Sequence, residues 1–147
     1  MGHSIRQSGP QDVARNFQIW REAVLATHDF LEPGDFEEIA RIVEEDYLPA
    51  AEFWVAVDAA DRPLGFMGLR EGHIDSLFVD PAVHGQGVGK ALVHHAVTLA
   101  GSVTVDVNEQ NPRGVGFYEK LGFVRRGWSA SDPTGRPYPI VHMAWAG

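Results

Sequence analysis

Gly85, Gly87 and Gly89 place three glycines within five residues. They lie between an apolar stretch, His73 to Val79, and a segment with Val88, Leu92, Ala96 and Leu99 spaced three or four apart. A strand, a glycine loop and a helix start, in that order, make an anion cradle. Glycines let the backbone approach a ligand closely, and the free N–H groups of a helix's first turn point toward negative charge. The chemistry on offer is phosphate binding. Two common phosphate motifs do not fit. A Walker loop needs Gly at position 84 and Ser or Thr after Gly89-Lys90, and the chain has His84 and Ala91. A dinucleotide fingerprint needs a third glycine three residues after Gly87, where Lys90 stands.

What remains resembles the pyrophosphate loop of the Gcn5-related N-acetyltransferase (GNAT) family: Arg or Gln, two residues, Gly, one residue, then Gly or Ala. Gly87 and Gly89 match it, and His84 stands where the family usually carries Arg or Gln. Backbone amides do most of the holding, so this departure is expected to weaken coenzyme binding rather than abolish it. Tyr118 to Phe123 resembles the family's Tyr-Glu-Lys-Leu-Gly-Phe signature. Trp20, Ala26 to Leu31, Val107 to Asn111 and Arg136 to Pro139 look more specifically like the YjaB-type bacterial peptidyl-lysine acetyltransferases. The resemblance implies acetyl-coenzyme A as cosubstrate and a primary amine, foremost a protein lysine, as acceptor. Two alternatives are acetylation of a small amine (polyamine, amino acid or aminoglycoside) and a non-catalytic acyl-coenzyme A sensor.

An amine attacking a thioester must be neutral, the carbonyl must be polarised, and the departing thiolate must be protonated. A lysine in water has a pKa of about 10.4, so a proton has to leave first. The chain has no cysteine, which makes direct transfer in a ternary complex the simpler scheme. The resemblance implies that Tyr118 protonates the sulfur. Asn111 lies seven residues earlier, about 10 Å along a helix, and by resemblance contacts the pantetheine arm. The implied coenzyme contacts are the amides of Leu77, Phe78 and Val79 and the loop His84, Gly85, Gln86, Gly87, Val88, Gly89 and Lys90. For the base, His73 ranks first, at the position where many members carry Glu. A histidine's ordinary pKa near 6.5 suits that work. Asp106 ranks second, although an aspartate, with a reference pKa of about 3.9, is a weak base in water. Asp75 ranks third, sharing His73's strand face by alternation and so placed to orient it. Asp75 and His28 are expected on the acceptor side, and no metal site is expected.

These residues need a scaffold. Periodicity and turn chemistry predict a strand at Ser4 to Gln7 and a helix from Gln11 to Ala26, with Val13, Phe17, Trp20 and Val24 inward. An acidic helix follows from about Asp35 to Tyr47, with Ile39, Ile42 and Val43 inward. Strands are predicted at Glu52 to Val57, Pro63 to Arg70 and His73 to Val79, then the helix after Gly87, stopped by Gly101. Ser102 to Val107 reads as a strand, Asn111 to Leu121 as a helix with an Asn cap and Pro112 in its first turn. A strand starts at Gly122, a polar loop covers Ser131 to Pro137, and a last strand runs from Tyr138 to Trp145. This order matches the GNAT fold from end to end. The implied fold class is α+β in three layers: a mixed, mostly antiparallel sheet splayed between strands 4 and 5 and flanked by four helices. One N-acetyltransferase domain over residues 1–147 is expected.

Composition sets the bounds. The net charge of −8 argues against a nucleic-acid partner and mildly favours cationic ones. No run of about 18 apolar residues is present, so no membrane partner is expected. The start lacks an apolar leader, which with the absence of cysteine suggests the cytoplasm. A homodimer is left open.

Overall fold

A computed structural model describes residues 4–147. Seven strands form one sheet in the order β1-β2-β3-β4-β5-β7-β6. They are β1 (Ser4–Gln7), β2 (Trp54–Val57), β3 (Pro63–Arg70), β4 (His73–Val79), β5 (Thr104–Asn108), β6 (Phe123–Ser129) and β7 (Ile140–Trp145). All neighbours pair antiparallel except β4 and β5. The helices are α1 (Val13–Thr27), α2 (Pro33–Ile42), α3 (Val88–Ala100) and α4 (Pro112–Lys120). The mixed sheet, its one parallel pair and its four helices agree with the expected fold class.

Two cores sandwich the sheet. On one face, Val88, Leu92, Val93 and Ala96 of α3 and Val115 and Tyr118 of α4 pack on Ile74, Val105, Val107 and Val141. On the other, Ile19, Trp20 and Val24 of α1 and Phe36 and Ala40 of α2 pack on Phe53, Val55 and Phe66. Apolar burial of this kind is the main favourable term in folding.

Several inward positions differ from the periodic reading. In α1, Ile19, Ala23 and Asn16 are buried, whereas Val13 and Phe17 are half-buried. In α2, Phe36 and Ala40 face the core, and Ile39 and Ile42 sit at its margin. Leu99 of α3 is 53% exposed. α2 begins at Pro33, two residues before the expected Asp35, since the first helical position needs no N–H.

The acidic helix also does not continue unbroken to Tyr47. Val43–Tyr47 is a π-helical turn, closed by Leu48 N–H on the Val43 carbonyl at 2.9 Å. The wider turn swings Tyr47 over the sheet, where its hydroxyl lies 2.8 Å from Ser76 Oγ. Ser76 Oγ in turn accepts from Gly68 N–H at 3.2 Å. Here β3 and β4 slip register: Leu69 faces Ile74 and Gly68 faces Ser76, so Asp75 is the extra residue of a bulge. A Cβ on Gly68 would lie 2.7 Å from the Tyr47 hydroxyl and 2.9 Å from Ser76 Oγ. Gly68→Ala should therefore lower unfolding free energy by about 1–3 kcal/mol, read as an earlier midpoint in urea denaturation; an unshifted midpoint would show that the junction repacks freely.

Candidate active site

The site begins where two strands part. β4 and β5 pair only at His73↔Thr104 and Ile74↔Val105. Beyond Ile74, β4 stays on β3 as far as Val79 while β5 continues on β7. The gap opens a cavity of about 560 Å³ that reaches through the sheet. Thr27 and His28 line it from α1, Asp75 and Asp106 from the strands, and Phe117 and Tyr118 from α4.

Asp80 N–H donates to the Leu64 carbonyl at 2.9 Å. Alternation along an antiparallel ladder then turns the Phe78 amide toward β3 and those of Leu77 and Val79 toward the gap. This corrects the expectation of three amides in the gap. Phe78 lines the cavity, but its N–H is spent on the sheet.

At the end of β4 the chain turns through Pro81–Val83 into the glycine loop. Gly85 (φ +83°) and Gly87 (φ +84°) are left-handed, and no atom lies within 4 Å of where a Cβ on either would sit. The first α3 bond is Ala91 N–H to the Gly87 carbonyl, so the amides of Val88, Gly89 and Lys90 have no partner within the helix. Open space beside unpaired amides at a helix N-terminus fits a pyrophosphate. Gly89 has a different task. A Cβ there would meet Phe117 Cζ at 3.0 Å, so it lets α3 and α4 close together. The exposed His84 folds back, its Nε2–H 3.0 Å (N···O) from the Val79 carbonyl oxygen. Lys90 and Arg113 also line the cavity; nothing in the sequence pattern singled out Arg113.

Asn111 caps α4, its Oδ1 accepting Gly114 N–H at 3.2 Å, which leaves its side-chain NH₂ for a ligand. Tyr118 is 7% exposed, between the rings of Phe117 (5.0 Å) and Phe123 (5.2 Å). Burial pushes its phenol well above the usual range, so the hydroxyl stays protonated at neutral pH.

On the α1 side of the sheet, polar residues of β4, β5, β7 and β6 form one row. His73 Nδ1 lies 2.8 Å from Thr104 Oγ1, and its Nε2 lies 3.6 Å from Asp106 Oδ2. Asp106 Oδ1 lies 2.7 Å from His142 Nδ1, and His142 Nε2 lies 2.6 Å from Ser129 Oγ. Asp75 does not orient His73. The bulge breaks the alternation that would align them, and Asp75 pairs with Arg70 at 3.2 Å. Sequence reasoning missed His142 and Ser129. The only signal was a histidine on the final strand, and pairing with β5 is a matter of sheet order.

His28 is both a helix end and a cavity wall. Its N–H bonds the Val24 carbonyl at 2.7 Å. Thr27 Oγ1 donates to the Ala23 carbonyl and lies 2.7 Å from His28 Nδ1, so the ring donates there. Desolvation pushes the imidazole down to about 4, against a hydrogen bond with Asn108 and the charge of Asp29. Tyr138 and Arg136 tie the β6–β7 connection to α2. The Tyr138 hydroxyl donates to Asp35 and accepts from Glu32 N–H, and Arg136 reaches Asp35 and Glu38. Phe30 links Tyr138 to His28, its ring centroid 5.8 Å from one and 5.2 Å from the other.

Among the described residues no group of three or more His, Cys, Asp or Glu is placed to hold a metal, and no helix is long and apolar enough to cross a membrane.

Comparison with known proteins agrees with this geometry. Residues 49–125 match the acetyltransferase (GNAT) domain. The chain is 48% identical over 142 residues to a peptidyl-lysine N-acetyltransferase, YjaB, of Salmonella typhimurium, covering 97% of each. It superposes on the solution structure of apo YjaB from Escherichia coli with a TM-score of 0.95 at 46% identity, over 100% of this chain and 99% of that one. A Thermoplasma acidophilum PaiA N-acetyltransferase, solved with coenzyme A, shares the fold at 19% identity and a TM-score of 0.78, over 99% of each chain. With a gap-split sheet, a glycine nest and a buried tyrosine in one cavity, and with these relatives, the chain belongs to the Gcn5-related N-acetyltransferase family.

Proposed function

We propose that this protein transfers the acetyl group of acetyl-coenzyme A to the side-chain amine of a protein lysine. The observation that carries the reading is the cavity through the sheet. It joins a phosphate nest, two gap-facing amides and a buried tyrosine to an acidic, half-exposed face on the other side. The YjaB relatives named as peptidyl-lysine acetyltransferases support the acceptor.

Each residue has a task in this scheme. The amides of Val88, Gly89 and Lys90 hold the pyrophosphate, with Lys90 and Arg113 adding positive charge beside it. The gap-facing amides of Leu77 and Val79 align the pantetheine arm and polarise the thioester carbonyl; Asn111 steadies the arm through its NH₂. The tyrosine at 118 supplies a proton to the departing sulfur, which its burial allows because the phenol arrives protonated. His73 and Asp106 stand on the acceptor side, where the amine must lose a proton before it attacks. His28 walls the same side as a neutral imidazole.

Release of free thiol from acetyl-coenzyme A with a lysine peptide, against a polyamine and free amino acids, tests the acceptor; turnover of the small amines alone would move the substrate class. Tyr118→Phe should cut kcat by about 100-fold while the acetyl-coenzyme A Kd from calorimetry stays near wild type. An unchanged kcat returns the tyrosine to a packing role. Gly87→Val puts a branched side chain at φ +84°, and coenzyme affinity should fall at least about 10-fold with the circular dichroism spectrum retained. For His28 the folded value of about 4 lies below the ordinary 6.5. Its contribution to stability is thus complete above pH 6.5 and is lost as pH falls toward 4. Unfolding free energy should drop by up to about 3 kcal/mol over that window, and His28→Asn should flatten the drop in urea melts at pH 7 and 4.5.

A further inference from the structure

The row His73, Asp106, His142 and Ser129 has a polarity that distance alone assigns. A carboxylate oxygen and a ring nitrogen 2.7 Å apart must share a proton, since otherwise two lone pairs face each other. His142 Nδ1 therefore carries hydrogen and donates to Asp106 Oδ1. In the neutral ring Nε2 is then bare, and the Ser129 hydroxyl 2.6 Å away donates to it. Asp106 thus fixes the tautomer, Ser129 completes the ring's hydrogen bonding, and His142 holds the carboxylate.

The other carboxylate oxygen is different. Asp106 Oδ2 lies 3.6 Å from His73 Nε2, beyond hydrogen-bond range. His73 Nδ1 has its partner in Thr104 Oγ1 at 2.8 Å. The hydroxyl can donate or accept; in the tautomer where it accepts from Nδ1–H, Nε2 presents a lone pair. Two acceptors then stand 3.6 Å apart, a spacing that one NH₃⁺ group spans with two of its N–H bonds, each about 2.8 Å long. The pair sits at the fork where β4 and β5 part, since Ile74 and Val105 are the last paired row, His73 lies just before it and Asp106 is the first β5 residue past it. Of this row Asp106 lines the cavity and His73 stands beside it; the charged or titratable lining groups nearby are Asp75, held by Arg70, His28 from α1 and Tyr118 from α4.

We propose that Asp106 Oδ2 and His73 Nε2 form the binding slot for the acceptor's primary ammonium group, and that His142, locked by Ser129, is the positioning residue that aims Asp106 into it. The proposal rests on the acetyl-transfer reading for its chemistry. The ammonium binds across both acceptors and gives one proton to His73 Nε2. That leaves a neutral amine beside the gap and an imidazolium beside the Asp106 carboxylate, so the charge leaving the substrate stays within the slot. His142 acts only by position: its Nδ1–H rests on Asp106 Oδ1 and takes no part in the transfer.

Steady-state kinetics with a lysine peptide, with acetyl-coenzyme A saturating, test this. Asp106→Asn should raise the peptide KM about 10- to 100-fold and leave the coenzyme KM unchanged. His142→Ala should raise the peptide KM by about 10-fold, and His142→Gln, which keeps an N–H donor, should recover most of it. A wild-type peptide KM in Asp106→Asn, or equal defects in His142→Ala and His142→Gln, would overturn the slot. A second readout does not depend on turnover. In the wild-type protein with coenzyme A, the His73 and His142 ring ¹⁵N resonances should shift on adding the free-lysine peptide and stay in place with its Nε-acetylated form. Equal shifts, or none with either peptide, refute the slot. Absent turnover with selective ring shifts would refute the transferase reading and uphold the slot.

Discussion

The two-residue contact between β4 and β5 governs the rest of this structure. A sheet that stayed paired would have no gap, and its buried amides would all be satisfied by neighbours. Here β3 continues to hold one side of β4 as far as Val79, so the strand keeps its shape while the amides of Leu77 and Val79 are left facing a cavity. A row of backbone groups on β4 is thereby left open where β5 leaves the ladder. The bulge at Asp75, held by Gly68, Ser76 and Tyr47, sits at the same point and bends the strand away.

The parting also joins two electrostatic settings in one cavity. On the α3–α4 side, Tyr118 is packed among aromatic rings and has no hydrogen-bond partner among the described residues; desolvation alone holds its proton. On the α1 side, Asp106, His73 and His142 are each more than a third exposed. A phenol is thus kept dry while the carboxylate and imidazoles stay wet. The sheet separates the two settings, and the gap, lined by both Tyr118 and Asp106, connects them.

Much of this was legible in the letters. The element order, the Asn cap with Pro112 behind it, the glycine nest and the tyrosine of α4 follow local rules, each acting over a turn or two of chain. Helix and strand periods and cap chemistry are set by neighbours in sequence. Less legible were the inward faces of α1 and α2, because tertiary packing selected Ile19, Phe36 and Ala40 over residues of similar hydropathy.

What the sequence by itself determined was the local machinery: the glycine turn before α3, the capped helix that carries Tyr118, and which residues flank the central strand. Only the tertiary structure decided the partnerships. Asp75 shares a strand with His73 yet pairs with Arg70 of β3, at a bulge where one extra residue interrupts the alternation. Asp106 instead meets His73 from a neighbouring strand and His142 from the next one, 36 residues further along the chain. Such pairings depend on strand order and register, which are properties of the whole sheet, and no local spacing encodes them.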